Sequence, residues 1–218
     1  MVHIFDIDYT IIKKPGAWYF LREALAQGVI RFKQVQSLPF EWLRYKVGRP
    51  NMDFIEDTVK HLAGIEKAAL ENVAESCFAR RLKPDIYSGA ARLIKDLQQQ
   101  GEPVIFATSS LDILIRPLEH FFGVSGSVCG VLEFADGKTT GHLAGNSAYG
   151  AKKKEAVQAW LEQRNIKPED VRFYSDSYTD LPLLEYCGSP VAVNPDRFLA
   201  AKAKKRGWEM LRFRETLG

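Results

Sequence analysis

Val2-His3-Ile4-Phe5-Asp6-Ile7-Asp8-Tyr9-Thr10 is the stretch that decides the fold. A short run of β-branched and aromatic residues breaks off at two carboxylates spaced i, i+2, and a hydroxyl follows. Such a run reads as a buried strand, and aspartate is a poor strand residue, so the strand should end where Asp6 begins. In an open α/β sheet, ligands bind beyond the carboxyl ends of the strands. Delivering Asp6 and Asp8 to that edge costs desolvation free energy unless a cation or hydrogen bonds offset it. The pair therefore points to a site. The plainer alternative is a strand-ending turn in which Asp8 caps a helix.

Outward from this strand the chain has a split organisation. Residues 15–84 carry helical patterns and no strand. Trp18, Leu21 and Leu25 fall at helical spacing, Arg31 to Val47 is amphipathic and broken near Pro39, Asn51 caps a helix with Phe54, Ile55, Val59 and Leu62 on one side, and Glu66 to Leu82 forms another. From Asp85 the pattern changes. Ala90, Leu93, Ile94 and Leu97 mark a helix stopped by Gly101. A strand (Pro103 to Ala107), a helix (Leu111 to Phe122) and a strand with an Asp136-Gly137 hairpin come next. A helix (Lys152 to Arg164), a strand (Val171 to Ser175), a helix, a strand (Pro190 to Val193) and a terminal helix complete the chain. Strands alternating with helices predict an α/β fold with a doubly wound, Rossmann-like parallel sheet. One strand cannot stand alone, so residues 1–14 join 85–218 in one core domain, and 15–84 form an inserted helical cap.

Composition narrows the function classes. The 218 residues are 46% hydrophobic and 26% charged with a net charge of +3, an ordinary globular balance that makes no general case for nucleic acid. Basic residues cluster at Arg31 and Lys33, at Arg44, Lys46 and Arg49, and at Lys202, Lys204, Lys205 and Arg206, as solvated helix faces commonly do. Cys77, Cys129 and Cys187 have no metal-type spacing and read as reduced thiols. No apolar run reaches the roughly 18 residues of a spanning helix, and no leader pattern precedes the first strand, so the expected compartment is the cytoplasm.

Three further constellations sit at strand ends. Thr108-Ser109-Ser110 follows an apolar strand and leads into a helix, which makes an anion seat of hydroxyls and free N–H groups; plain capping by Ser109 or Ser110 is the alternative. Lys152-Lys153-Lys154 opens a helix, where cations oppose the macrodipole, so a lysine needed elsewhere competes with three solvated ones. Finally, Val171-Arg172-Phe173-Tyr174-Ser175 ends at Asp176, with Asp180 four residues on. Asp180 suits a helix first turn, but Asp176 has no such local reason. Acids converging from two strands would raise one another's pKa unless a divalent cation lay among them, and hard oxygen ligands suit magnesium.

In this order, Asp6-Ile7-Asp8-Tyr9-Thr10, Thr108, a lysine near 153, Asp176 and Asp180 resemble the haloacid dehalogenase superfamily of phosphohydrolases. The insertion is similar in position to its helical C1 caps. Ser175 to Glu185, Val191 to Asp196 and Arg206-Gly207-Trp208 resemble the phosphoserine-phosphatase-like subfamily IB. The resemblance implies a phosphomonoesterase with Asp6 as nucleophile, forming an aspartyl-phosphate, and Asp8 as general acid and base. It implies Mg2+ held by the Asp6 carboxylate, the Asp8 main-chain carbonyl and Asp176. Thr108, with Ser109 beside it, and Lys153 would bind phosphoryl oxygens, Asp180 would orient Lys153 or a water on the metal, and Thr10 would buttress the first turn and Asp8. Lys153 is preferred to Lys152 and Lys154 on its register with Val157 and Trp160. The family most often has glycine or a small residue where Tyr9 stands, and often glycine where Ser175 stands.

The implied substrate is a small phosphoester. Phosphoserine phosphatases carry an acid shortly after the first motif, whereas here Lys13-Lys14-Pro15 favours a neutral or anionic leaving group. Arg31, Phe32, Lys33, Trp42, Arg44, Tyr45 and Lys46 blend cations with aromatics, which suits a phospholipid headgroup at a membrane surface, while histidinol phosphate stays open. The alternatives are a catalytically silent phosphate-binding or scaffolding protein and a phosphotransferase. Retention of both Asp6 and Asp8 weighs against silence, and dehalogenation has no need of Asp176 and Asp180.

Overall fold

The fold, from a computed structural model, is described for residues 1–31 and 54–218. Strand β1 (Val2–Phe5) takes the centre of a six-stranded sheet in the order β3-β2-β1-β6-β7-β8, and all five pairings are parallel. The other strands are β2 (Val104–Leu111), β3 (Ser127–Gly130), β6 (Val171–Ser175), β7 (Ser189–Val193) and β8 (Glu209–Leu211). Phe5 lies opposite Phe106 of β2 and Tyr174 of β6, so both edges of β1 are paired and both faces covered. That is why β1 shows no polar alternation toward solvent: even His3 is buried, with its Nδ1 2.9 Å from the Tyr174 hydroxyl.

Side chains of successive residues enter opposite layers. Phe5, Val104, Phe106 and Tyr174 face one apolar cluster, and Ile4, Ile105, Val171 and Phe173 face the other. The Phe5 and Tyr174 rings stack with centroids 4.0 Å apart. Helices α4 (Ser88–Gln99) and α5 (Asp112–Phe122) cover the first face; α6 (Ala151–Glu162), α7 (Leu181–Leu184) and α8 (Arg197–Arg206) cover the second. This is the doubly wound α/β arrangement expected from the sequence.

Between β1 and α4 run α1 (Gly16–Ala26), α2 (Phe54–Lys60) and α3 (Lys67–Cys77), then a π-helical turn (Phe78–Leu82) and a 3-10 turn (Lys83–Asp85). Phe20, Ala24, Leu70 and Val73 of this insertion lie in the same apolar cluster as Phe5 and Phe106. Its two ends are tied where the Tyr19 hydroxyl donates to the Asp85 carboxylate; burial and that bond push the phenol up to about 12. The amphipathic stretch expected from 31 to 47, the helix start at Asn51 and the Phe32, Lys33, Trp42, Arg44, Tyr45, Lys46 and Arg49 cluster fall outside the described residues, Arg31 aside.

Several boundaries differ from the sequence reading. The Asp136-Gly137 turn does join a hairpin, β4 (Leu132–Ala135) and β5 (Lys138–Leu143), with both residues at positive φ (49° and 75°) as a type I′ turn requires. The hairpin forms its own two-stranded sheet and docks on the insertion, with an antiparallel bridge between Glu66 and Lys138. Gly64 donates its N–H to the Thr139 carbonyl (2.8 Å), Thr139 to Ile65 (2.9 Å) and Lys67 to Gly137 (2.8 Å). Strand β2 continues through Thr108, Ser109 and Ser110 instead of ending at Ala107. Helix α5 therefore starts after Leu111 with no side-chain cap, which excludes capping by Ser109 or Ser110. Strands β3 and β8 are four and three residues long, too short for period counting. All three cysteines are free, and no helix among the described residues is long and apolar enough to cross a membrane.

Because the insertion and sheet share apolar contacts, Leu70→Ala should cost about 2–5 kcal/mol of global stability within one cooperative urea transition. A separate early transition, with the main one unmoved, would mean that the insertion is an independent unit.

Candidate active site

The register that sets Phe5 beside Phe106 and Tyr174 brings Asp6, Thr108 and Asp176, each one or two residues further on, to one edge of the sheet, with β2 running on past Thr108. Asp6 continues the ladder, donating its N–H to the Tyr174 carbonyl at 2.9 Å. The chain then winds up at once: the Ile7 carbonyl accepts from Thr10 (3.2 Å), Ile11 (2.8 Å) and Ile12 (3.1 Å). Tyr9 inside this turn has φ 59°, a left-handed conformation that costs a non-glycine side chain about 1 kcal/mol or more. Glycine, which has no Cβ, would suit that φ better. Tyr9 is partly compensated where its carbonyl accepts from Asn194 Nδ2 at 3.2 Å. Asp8 leaves the turn with its carboxylate fixed by the Gly16 N–H, 2.9 Å from Oδ1 at the start of α1.

Lys153 is the centre of the constellation. It is 4% exposed, and its Nζ lies 2.9 Å from Asp6 Oδ1 and 2.8 Å from Asp180 Oδ2. The Ser175 hydroxyl donates to the same Asp180 oxygen at 2.7 Å. The three consecutive lysines diverge, as a helical turn of about 100° per residue requires. Lys152 reaches Glu56 of α2 at 2.9 Å, and the Lys154 ammonium lies 5.2 Å from the Tyr186 ring centroid. Of the three, Lys153 is the one whose ammonium lies against Asp6 and Asp180. Thr108 is buried with its Oγ1 accepting from the Ser110 N–H (3.1 Å), and Ser109 is half-buried. Thr10 is fully buried, and its Oγ1 has no hydrogen-bond partner among the described residues.

Burial governs the electrostatics. It pushes Asp6 up to about 7, against the pull of the Lys153 ammonium and with the push of Asp180 and Asp8. Burial likewise holds Asp176 well above the usual carboxylate range, reinforced by Asp6 and Asp180. Asp8 is raised by burial, moderated by the Gly16 N–H and Lys153. Burial disfavours the Lys153 ammonium, but Asp180 and Asp6 outweigh it and keep the group protonated. One buried cation among four acids leaves local negative charge uncompensated. Among the described residues no three His, Cys, Asp or Glu side chains form a ready metal cluster. The set implied by the sequence uses two carboxylates, Asp6 and Asp176, with a main-chain carbonyl. That set of hard oxygens, under mutual repulsion, fits a divalent cation such as magnesium.

Sequence reasoning assigned no role to two supports. Asp196 caps α8, with Oδ1 accepting from the Phe198 (2.8 Å) and Leu199 (2.9 Å) N–H groups. Its Oδ2 accepts from the Tyr178 N–H (2.7 Å) and its own N–H donates to the Asp176 carbonyl (2.8 Å), so it clamps the loop bearing Asp176 and Asp180. An aspartate just before a helix was the available signal. Asn194 bridges the Tyr9 carbonyl and the Phe213 N–H (2.8 Å).

The comparisons with known proteins cover nearly the whole chain. A histidinol-phosphatase of Neisseria meningitidis is 29% identical over 217 residues, 97% of this chain and 98% of its own. A phosphoserine phosphatase of Mycobacterium tuberculosis is 29% identical over 215 residues, 96% of this chain and 70% of its own. Among solved structures, a protein of unknown function from Bordetella pertussis superposes with a TM-score of 0.85 at 24% identity, covering 96% of this chain and 97% of that one. A substrate-bound phosphoserine phosphatase gives a TM-score of 0.68 at 20% identity, covering 96% and 91%. The family model described as haloacid dehalogenase-like hydrolase matches residues 4–185, more than four-fifths of the chain, and by that match the chain belongs to the haloacid dehalogenase-like hydrolases.

Proposed function

We propose that the chain is a phosphatase that hydrolyses a small phosphomonoester through a covalent intermediate on Asp6. The single observation that supports this best is the buried Lys153 ammonium held 2.9 Å from Asp6 and 2.8 Å from Asp180. A cation fixed beside a carboxylate that must approach an anion lowers the repulsion between nucleophile and phosphate. The Asp6 oxygen attacks phosphorus as the alkoxide leaves, and Asp8 gives that alkoxide its proton. Asp8 then takes a proton from the water that cleaves the aspartyl-phosphate, which releases phosphate and restores Asp6. Burial raises Asp8, which suits a group that must arrive protonated, and the Gly16 N–H aims it. Lys153 and the Thr108 and Ser109 region face the phosphoryl oxygens, while Asp180 and Ser175 hold Lys153 in register.

Asp6, Asp176 and the Asp8 carbonyl are the groups that would hold magnesium. When bound, that ion supplies positive charge against the phosphoryl oxygens. The helical insertion, 15–84, acts as a cap over this edge. Similar proteins are named for histidinol phosphate and phosphoserine, so those two esters head the substrate panel. The phospholipid reading rests on residues outside the described ones and enters as one arm of the same panel.

The deciding assay is release of inorganic phosphate from an aryl phosphate and from the panel, with magnesium or with chelator. The wild type should turn over with magnesium, and Asp6→Asn should lose at least about 10³-fold in kcat, as loss of a covalent nucleophile does. A wild type silent on the whole panel would sink the phosphatase reading in favour of phosphate binding.

The raised carboxylates also set a stability trend. A buried acid whose pKa rises on folding, as Asp6 does from 3.8 to about 7, stabilises least once pH exceeds the folded value. The metal-free protein should therefore lose stability as pH climbs from about 4 through about 7. Asp176→Asn should relieve part of this, melting above the wild type at pH 8 in chelator by about 2–4 °C per kcal/mol relieved. Added magnesium should raise the wild-type Tm and leave the variant unmoved; a variant melting below the wild type in chelator would contradict the repulsion.

A further inference from the structure

We propose that Glu56 is a positioning residue: from the helical insertion it fixes the first turn of α6, and through that turn the Lys153 ammonium against Asp6. The proposal rests on the phosphatase reading above and adds to it a residue outside the reacting groups. Glu56 Oε1 accepts from the buried Ser147 hydroxyl at 2.8 Å and from Lys152 Nζ at 2.9 Å. One carboxylate oxygen thus bridges the segment entering α6 and the first turn of that helix. The neighbouring residue in that turn is Lys153, which is committed to Asp6 and Asp180.

The turn needs an external brace. It begins after Gly150, whose φ of 56° and ψ of −125° belong to glycine territory and which has no side chain to cap the helix. Three lysines then occupy the helix end where the macrodipole is already positive. Asp6 and Asp180 answer one of those charges and Glu56 answers its neighbour. Glu56 is also not a casual surface charge: its Oε2 is buried without a hydrogen-bond partner among the described residues, an arrangement unfavourable for an ionised oxygen. The insertion holds it there regardless, because α2 is tied at its far end to the β4–β5 hairpin. The main-chain bonds of Gly64, Ile65 and Lys67 make that tie, and the Thr139 hydroxyl adds to it by donating to the Leu62 carbonyl. The seating of the insertion is in this way transmitted to the reacting centre through an ion pair and one helical turn.

Glu56→Gln keeps the shape and removes the charge. It should lower kcat about 10-fold and leave KM within about twofold, because Lys153 does its work in the transition state. Lys152→Gln should match it, and the double variant should fall no further than the worse single, as expected for two ends of one interaction. The charge swap, Glu56→Lys with Lys152→Glu, should recover kcat to within about threefold of the wild type, a rescue that a merely structural contact would not give. Single variants within about twofold of the wild type in kcat, or a double that multiplies their losses, would overturn the proposal. Amide hydrogen exchange judges the brace without turnover: Glu56→Gln should speed exchange at residues 151–154 about 10-fold. If the wild type hydrolyses no phosphoester, the phosphatase reading falls while the exchange result still decides the brace, and unchanged exchange rejects it.

Discussion

Much of the molecule is arranged around a cation that has no business being dry. Moving an ammonium out of water costs several kcal/mol after relaxation, and removing one partner of such a buried group typically destabilises by about 3–5 kcal/mol. Lys153 is 4% exposed, and its two partners come from parts of the chain that meet only in the finished fold. Asp6 stands at the end of β1, and Asp180 lies in the turn after β6. Every element that brings these groups together is constrained by that need. The sheet must put β1 beside β6, α6 must start where its third residue after Gly150 meets Asp6, and the turn after Asp176 must fold back to offer Asp180. The Ser175 hydroxyl completes the set by satisfying the Asp180 oxygen that Lys153 shares.

A ring of polar supports keeps the reacting side chains from choosing other rotamers. Asp196, anchored by two N–H groups of its own helix, clamps the Asp176 loop by accepting from the Tyr178 N–H and donating to the Asp176 carbonyl, while Asn194 steadies the strained Tyr9 turn. These bonds are worth about 1 kcal/mol each, so their value lies less in stability than in fixing geometry. Gly16 does the same for Asp8 and joins the first turn of the insertion to the site. Among its described residues the insertion therefore meets the chemistry at Gly16, where α1 starts, and at Glu56, in the first turn of α2.

How much of this was legible depends on the length scale of each signal. The Val2–Phe5 run announced a doubly paired strand because burial on both faces removes the polar alternation, and the Asp6 and Asp8 break was visible because carboxylates are unwelcome there. Lys153 was separable from its neighbours because helical register is exact enough over four residues to say which side faces the core. Strands β3 and β8 left no signal, since three or four residues hold too few periods. The continuation of β2 through Thr108 to Leu111 was hidden by the hydroxyl triplet, which reads as a helix start until the β3 partner is known. Glu56 was invisible for a different reason: its partners, Ser147 and Lys152, are set by tertiary docking and not by any local pattern.

The central position of β1 also shapes how the molecule comes together. Its neighbours in the sheet are β2 and β6, and Lys153 and Asp6 are 147 positions apart in the chain. A strand laid down early thus spends much of synthesis with one edge bare, waiting for a partner that emerges far later. Bare apolar edges invite pairing with the wrong chain, and long-range parallel pairing is slow. The two aspartates closing β1 turn this exposure to advantage. While Lys153 is still absent they are hydrated anions, and charge at the end of an unpaired strand discourages stray association. The residues that will later form the reacting centre serve, during folding, as its gatekeepers.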